Sequence, residues 1–272
     1  LTLNGLSSEV PFYGGALEKF GVGVQPVRVG KYKSAIEPFT RKKFSEEGRE
    51  QIQDLLKSRW DSILGHIREN RDFKPGKLEK ILENSFYFDP EEALDADLVD
   101  EVATRQEVVS RLIEIGSKDA DTGSFSQISL QDYAESRIQN SHFGSGGNTI
   151  AIVYIEGVIV EGESFTGYAG SSTFNRQLAE LKNRGDVKAV VLRVNSPGGS
   201  ATASEIMQQA IIGIQASGRP VVVSMGALAA SGGYWVSAPA EQIIAQPETV
   251  TGSIGVYGLL LDIEGLSEKI GV

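Results

Sequence analysis

Residues 221–234, VVVSMGALAASGGY, decide the fold and contain the most informative residue of the chain, Ser231. The β-branched run at the start is typical of a buried strand, and the small residues with two glycines are typical of a turn into a helix. Such a turn exposes the Ser231 hydroxyl near a helix N-terminus, where developing negative charge is stabilised. Taken alone, Ala-Ser-Gly-Gly is more often an ordinary tight turn, so the rest of the chain has to decide.

A second strand-to-helix turn lies upstream. Residues 188–194 are rich in β-branched residues and predict a buried strand, and the apolar spacing over 201–214 predicts a helix. The turn between them, Asn195 to Ser200, contains a glycine pair. Its backbone N–H groups could form an oxyanion hole, although a plain connecting turn explains the segment as well. A phosphate-binding loop is disfavoured because no Gly-Lys-Ser/Thr sequence follows the glycines.

A serine nucleophile needs a base, and the sequence offers few candidates. Of the two histidines, His66 falls within an amphipathic helix and His142 within a Gly/Ser-rich linker, so neither is expected to be catalytic. There is no cysteine and no metal-binding spacing, so we expect neither a thiol nucleophile nor a metal or other cofactor. A lysine amine remains, because the pKa of a lysine falls readily on burial. Lys33, which follows the strand-like segment 24–29, is the best candidate among many lysines.

Composition excludes other classes of protein. The net charge of −10 argues against nucleic acid as a partner, because phosphate binding needs clustered Lys and Arg. No apolar run approaches the ~20 residues of a membrane-spanning helix. One apolar stripe over 45–70 predicts a long helix capped by Ser45, and strands alternate with helices from residue 149. The fold class is therefore α/β, with a long helical segment in the first half.

Four motifs together resemble the signal peptide peptidase A (protease IV) family. They are Ser-Pro-Gly-Gly at 196–199, Ala-Ala-Ser-Gly-Gly-Tyr at 229–234, Thr-Gly-Ser-Ile-Gly-Val at 251–256 and Gly-Lys-Tyr-Lys-Ser-Ala at 30–35. The resemblance extends over nearly the whole chain and is weakest at about 117–147. It implies a crotonase/Clp-protease-like fold of repeated ββα units and a serine peptidase with a Ser/Lys dyad.

The same resemblance assigns roles to individual residues. It implies that Ser231 is the nucleophile, that Lys33 is its general base and that Ser253 orients the lysine. Amides of the Pro-Gly-Gly turn and of the residue after the nucleophile would form the oxyanion hole, which gives Gly198 or Gly199 and Gly232. A carboxylate beside the amine would oppose the lowered pKa that a base requires, so we expect Glu37 to point away from Lys33.

The two ends of the chain match each other. Residues 15–22 resemble residues 265–272 at a constant offset of 250, as in an internal duplication. We therefore expect a fragment of a tandem-duplicated protein. Residues 1–116 would be the second half of one repeat, 117–147 a linker, and 148–272 the first half of the next repeat.

The resemblance also implies substrates, assembly and location. Peptides, in particular remnant signal peptides, would be cleaved by a homo-oligomer, a tetramer being the expected state. Membrane association would come from a segment absent from this sequence, at a bacterial inner membrane or a thylakoid, with a soluble catalytic body. Three alternatives stay open: an acyl-CoA enzyme of the crotonase fold, a non-catalytic oligomeric scaffold of the same fold, and an intact enzyme of which this fragment alone is inactive.

Overall fold

The computed structural model describes residues 1–140 and 147–272, which fall into two compact units. The first unit comprises Leu1–Gly5 and Leu64–Gly146, and the second comprises Leu6–Ile63 and Gly147–Val272. The boundaries of these two spatial units differ from the repeat boundaries expected from the sequence. The repeat boundaries remain a prediction.

Helices dominate residues 1–140. The elements in chain order are α1 (Gly14–Phe20), β1 (Gly23–Arg28), a 3₁₀ turn (Ser34–Ile36), α2 (Glu37–Thr40), α3 (Glu46–Asn70), α4 (Lys77–Asn84), α5 (Pro90–Asp95), α6 (Arg105–Ile115) and α7 (Leu130–Asn140).

Strands and helices alternate from residue 149. The elements are β2 (Thr149–Glu156), β3 (Val158–Val160), β4 (Tyr168–Gly170), α8 (Ser171–Asn183), β5 (Val187–Ser196), α9 (Ala201–Gln215), β6 (Val221–Ala230), α10 (Gly232–Ser237), β7 (Gln242–Ile244), β8 (Val250–Gly252), β9 (Tyr257–Asp262) and α11 (Glu264–Ile270).

The first unit is helical and has a small apolar core. Its buried side chains include Leu64, Leu78 and Phe88. Helix α5 begins with a capping box, in which the Asp89 side chain accepts from the Glu92 amide and the Glu92 side chain accepts from the Asp89 amide. These acidic residues therefore stabilise a helix terminus.

The second unit is built on a five-stranded parallel sheet. Its strand order is β2-β5-β6-β7, and β8 pairs with the end of β6. Alternate residues of β5, namely Val190, Leu192 and Val194, are fully buried in one apolar core with residues of helices α8, α9 and α10. The α/β class predicted from the sequence is confirmed, and its sheet is parallel.

A separate antiparallel ribbon completes the second unit. Strand β1 pairs with β9, so that Gly23 lies opposite Asp262 and Arg28 opposite Tyr257. The matching end segments form similar helices here, since Gly21 caps the C-terminus of α1 and Gly271 that of α11, each glycine with a left-handed backbone.

The long helix predicted over 45–70 is confirmed. It begins at Glu46, and the Ser45 hydroxyl accepts a hydrogen bond from the Gly48 amide at 2.9 Å, as an N-cap does. Its apolar stripe is only partly buried, and Leu64, in the first unit, is the stripe residue with the least exposure.

Candidate active site

Ser231 stands at a strained turn between β6 and α10. Its backbone has φ 53° and ψ −119°, in a region that residues with a side chain rarely occupy. Two hydrogen bonds hold this conformation: the Ser231 amide donates to the Gly252 carbonyl at 2.8 Å, and its carbonyl accepts from the Trp235 amide at 2.9 Å. The sharp turn is what the sequence predicts at Ser231, and it resembles the strained strand-to-helix turn that carries the nucleophile in α/β-hydrolases.

Ser253 follows the neighbouring strand. Strand β8 runs parallel to the end of β6, with Ala230 opposite Gly252. The residues that follow the two strands therefore lie at the same edge of the sheet. Those next residues are Ser231 and Ser253. Ser253 also has a positive φ, of 49°.

Lys33 reaches this edge through the β1–β9 ribbon. Strand β9 begins shortly after Ser253, and the Val29 amide donates to the Val256 carbonyl at 3.2 Å just beyond the last ribbon pair. The ribbon therefore brings the loop after β1 to the serines. Lys33 lies at the centre of a tight turn, with φ −79° and ψ 72°, closed by a 2.9 Å hydrogen bond from the Ser34 amide to the Tyr32 carbonyl.

The Lys33 amine contacts both serines. Its Nζ lies 3.0 Å from Ser231 Oγ, 3.1 Å from Ser253 Oγ and 2.6 Å from the Ser253 carbonyl oxygen. The side chain is buried, with 5% exposure. Burial lowers the pKa of Lys33 because the charged ammonium loses its hydration. This is the direction that a general base working near neutral pH requires.

No carboxylate is among the hydrogen-bond partners of the Lys33 amine in the part of the chain that the structure describes. The Glu37 carboxylate instead accepts from the Ser45 amide at 3.0 Å and from the Ser45 hydroxyl at 2.5 Å. The expectation that Glu37 points away from the amine is confirmed.

The glycine turn after β5 lies against the Ser231 turn. A Cβ added to Gly198 would come within 2.4 Å of the Gly232 nitrogen, and one added to Gly232 would come within 3.3 Å of the Gly199 nitrogen. The Gly198 amide donates to Ser196 Oγ at 3.1 Å. Among the hydrogen bonds found in residues 1–140 and 147–272, none uses the amide of Gly199 or Gly232.

The residues singled out from the sequence therefore come together within the second unit. They are Ser231, Lys33, Ser253, Gly198, Gly199 and Gly232. His66 belongs to the first unit, and His142 lies outside the described residues. The described residues contain no group of three or more His, Cys, Asp or Glu side chains that could hold a metal ion.

Sequence reasoning missed the contribution of Ser196. This serine is fully buried, donates to the Gly157 carbonyl at 2.7 Å and accepts from the Gly198 amide. Its hydroxyl therefore links the amide of Gly198, within the glycine turn, to the carbonyl of Gly157, which follows β2. The quoted Ser-Pro-Gly-Gly motif contains the residue, but only the fold shows which groups its hydroxyl binds.

Comparison with known proteins identifies the family of the chain. The family model described as Peptidase family S49 matches residues 2–118 and 214–272, more than half of the chain. The chain belongs to Peptidase family S49. The matched segments include Lys33, Ser231 and Ser253.

Relatives of this S49 chain carry peptidase names. Protease 4 of Haemophilus influenzae is 40% identical over 99% of this chain and 45% of its own length. Protease 4 of Salmonella typhi is 36% identical over 99% and 44%, and the chloroplastic serine protease SPPA of Arabidopsis thaliana is 32% identical over 99% and 40%. The chain thus spans less than half of the length of each of these relatives, and the names support a serine peptidase of the S49 family.

Proposed function

We propose that this chain carries the active site of a serine endopeptidase in which Ser231 is the nucleophile and Lys33 the general base. The observation that carries the proposal is the 3.0 Å contact between the Lys33 amine and the Ser231 hydroxyl, with the amine buried and free of carboxylate partners among the described residues. Nucleophile and base must lie within such a distance for direct proton transfer.

The reaction follows from this geometry. Neutral Lys33 takes the proton of Ser231 as Oγ attacks a peptide carbonyl, and a tetrahedral oxyanion forms. The resulting ammonium returns the proton to the leaving amine, which leaves an acyl group on Ser231. The same lysine then takes a proton from water, and hydrolysis of the ester restores the enzyme.

Two amides are suited to the oxyanion. No described group accepts a hydrogen bond from the amide of Gly199 or of Gly232, and the two residues lie close together beside Ser231. The Gly198 amide is already engaged by Ser196, so the proposed hole uses Gly199 and Gly232 as donors.

Ser253 is the proposed orienting residue. Its hydroxyl and its carbonyl both contact Lys33 Nζ, so the two together fix the direction of the amine toward Ser231. A serine can do this without adding charge, and it therefore leaves the lowered pKa of the lysine intact.

The proposed substrates are peptides of the kind left by signal-peptide cleavage, degraded at a membrane. This rests on the likeness to signal peptide peptidases, and membrane attachment would come from a segment outside this sequence. Among the described residues, none of the helices combines the length and the apolar character that a membrane crossing needs. A bacterial inner membrane or a thylakoid is the proposed location.

The proposed assembly is a homo-oligomer, a tetramer, of crotonase/Clp-like repeated units. The proposal rests on the resemblance of the motifs to this family; in the β1–β9 ribbon, Val27, Leu260 and Leu261 are each more than 60% exposed. Sedimentation of the full-length protein at micromolar concentration tests this, and a compact monomer would contradict it.

Labelling with a serine-directed fluorophosphonate tests the proposed chemistry. The probe should modify the wild-type protein at Ser231 and leave Ser231→Ala unmodified, and Lys33→Ala should be labelled far more slowly. An acyl-CoA enzyme or a scaffold of the same fold would not react. Binding of coenzyme A without labelling would favour the first of these, and neither reaction nor binding would favour the second.

A further inference from the structure

One buried carboxylate close in sequence to the proposed base has no part in the reaction just described. Glu37 is 2% exposed, although it lies only four residues after Lys33. Burying a carboxylate is unfavourable unless charged or hydrogen-bonding partners compensate. The partners of Glu37 therefore indicate why the chain keeps it there.

The first partner is the N-terminus of helix α3. Both Glu37 oxygens accept from Ser45, one from the amide and one from the hydroxyl, and that hydroxyl also caps α3 by accepting from the Gly48 amide. Glu37 is thus fixed at the positive end of a long helix, where a negative charge is stabilised.

The second partner is Arg28, at the end of β1. Its Nη1 lies 3.7 Å from Glu37 Oε1 and donates to the Lys33 carbonyl at 3.4 Å. The guanidinium therefore stands between the backbone of the proposed base and the buried carboxylate, and it links the two ends of the loop that carries Lys33.

The same loop has two further contacts with α3. The Tyr32 hydroxyl donates to Glu50 Oε2 at 3.0 Å, and the Ser34 hydroxyl donates to Gln51 Oε1 at 2.9 Å. The residues on both sides of Lys33 are thus held to the first two turns of one helix.

We propose that Arg28 and Glu37 are positioning residues for Lys33: they fix its loop on α3, and their opposite charges balance each other at the backbone of that loop. The inference rests on the proposed function, in which the neutral amine is the base. A single unbalanced charge at this place would change the tendency of the amine to take up a proton, with opposite signs for the two residues.

Other charged or titratable groups around the loop are few. Glu50 binds Tyr32, Lys31 lies over the Tyr32 ring at 4.8 Å, and Tyr257 of β9 pairs with Arg28 in the ribbon. Within the part of the chain that the structure describes, the side chains that hydrogen-bond the amine from the turns after β6 and β8 are the uncharged Ser231 and Ser253. Arg28 and Glu37 are therefore the charges whose balance the test has to disturb.

The test compares pH profiles of kcat/KM for Arg28→Gln, Glu37→Gln and the double variant in the full-length protein. Arg28→Gln leaves Glu37 unbalanced, which favours the ammonium, so the midpoint should rise. Glu37→Gln leaves Arg28 unbalanced, so the midpoint should fall. One unbalanced charge acting through an intermediate effective dielectric corresponds to a shift on the order of half a pH unit in each direction. The double variant should return to the wild-type midpoint.

Two control variants separate this from a purely structural role. Lys57→Gln removes one charge from an exposed ion pair with Asp61 on the same helix and should leave the midpoint in place. Ser45→Ala removes a hydrogen bond to Glu37 but no charge, so kcat should fall without a shift of the midpoint.

The outcomes are distinct. Shifts of the same sign in Arg28→Gln and Glu37→Gln, or activity losses with no shift, overturn the charge balance. If Glu37→Gln does not fold, the midpoint of Arg28→Gln still tests the proposal, because the Arg28 side chain is partly exposed and its loss should leave the protein folded. An unchanged or lower midpoint in Arg28→Gln would then overturn the charge balance. Failure of the dyad itself would show differently, because the wild-type protein would then not be labelled at Ser231.

Discussion

The substitution Gly198→Ala tests the proposed oxyanion hole most directly. Gly198 has φ +89°, and an added Cβ would lie 2.4 Å from the Gly232 nitrogen and 2.9 Å from the Ala230 carbonyl oxygen. The alanine side chain has no alternative rotamer that would avoid these two short contacts, and both contacting atoms belong to the backbone. The turn must shift, and the Gly232 amide must turn away from Ser231.

The expected magnitude has two parts. Loss of one oxyanion donor lowers the rate by about 10²- to 10³-fold. The positive φ separately destabilises an alanine by about 1–2 kcal/mol, whether or not there is a clash. The chain offers a control for the second part in Gly218, which has φ +83° and nothing within 4 Å of an added Cβ.

The assay measures kcat/KM on a peptide ester together with the free energy of unfolding in urea. Gly218→Ala should lose about 1–2 kcal/mol of stability and keep its activity. Gly198→Ala should lose at least as much stability and also 10²- to 10³-fold in kcat/KM. If folded Gly198→Ala stays within threefold of Gly218→Ala in kcat/KM, the assignment of this turn to the oxyanion is refuted.

Further predictions concern the dyad and its pH dependence. Lys33→Ala and Ser231→Ala should each remove nearly all peptidase activity, and the double variant should be little worse in the same ester assay, because the two residues act as a unit. Ser253→Ala should retain more activity than Lys33→Ala, since it removes the 3.1 Å contact of Lys33 Nζ with the hydroxyl but keeps the 2.6 Å contact with the carbonyl. An equal loss of kcat/KM in the two variants, measured side by side, would contradict this. The kcat/KM of the wild type should rise with pH through one ionisation below 10.5, because only the neutral amine is a base and burial lowers the pKa of Lys33. His66→Gln and His142→Gln should leave that profile unchanged, whereas a midpoint near 6.5 that disappears in either variant would identify a histidine base instead.

The local elements could be predicted from sequence because local chemistry determines them. The β-branched runs predicted β5 to within two residues at each end and the start of β6, and the Ser45 cap follows from residue type and from the apolar spacing that begins after it. The Ser231 turn also follows from its small neighbours and the two glycines.

The assembly of the site could not be derived from local patterns. Lys33 and Ser231 are 198 residues apart, and their meeting depends on β1 pairing with β9, which no periodicity encodes. Only the resemblance of the motifs linked them. The role of Ser196 was equally hidden, because a buried hydroxyl that holds a turn has the same sequence signature as an exposed one.

The backbone conformation at Ser231 has a consequence for how such a chain evolves. A serine held at φ 53° makes the folded state less favourable by about 1–3 kcal/mol than a residue free to adopt this angle. Glycine is that residue, so Ser231→Gly should melt at a higher temperature than the wild type while losing the nucleophile. In a gene copy released from selection for hydrolysis, the fold itself would therefore exert no selection to retain the hydroxyl at this turn.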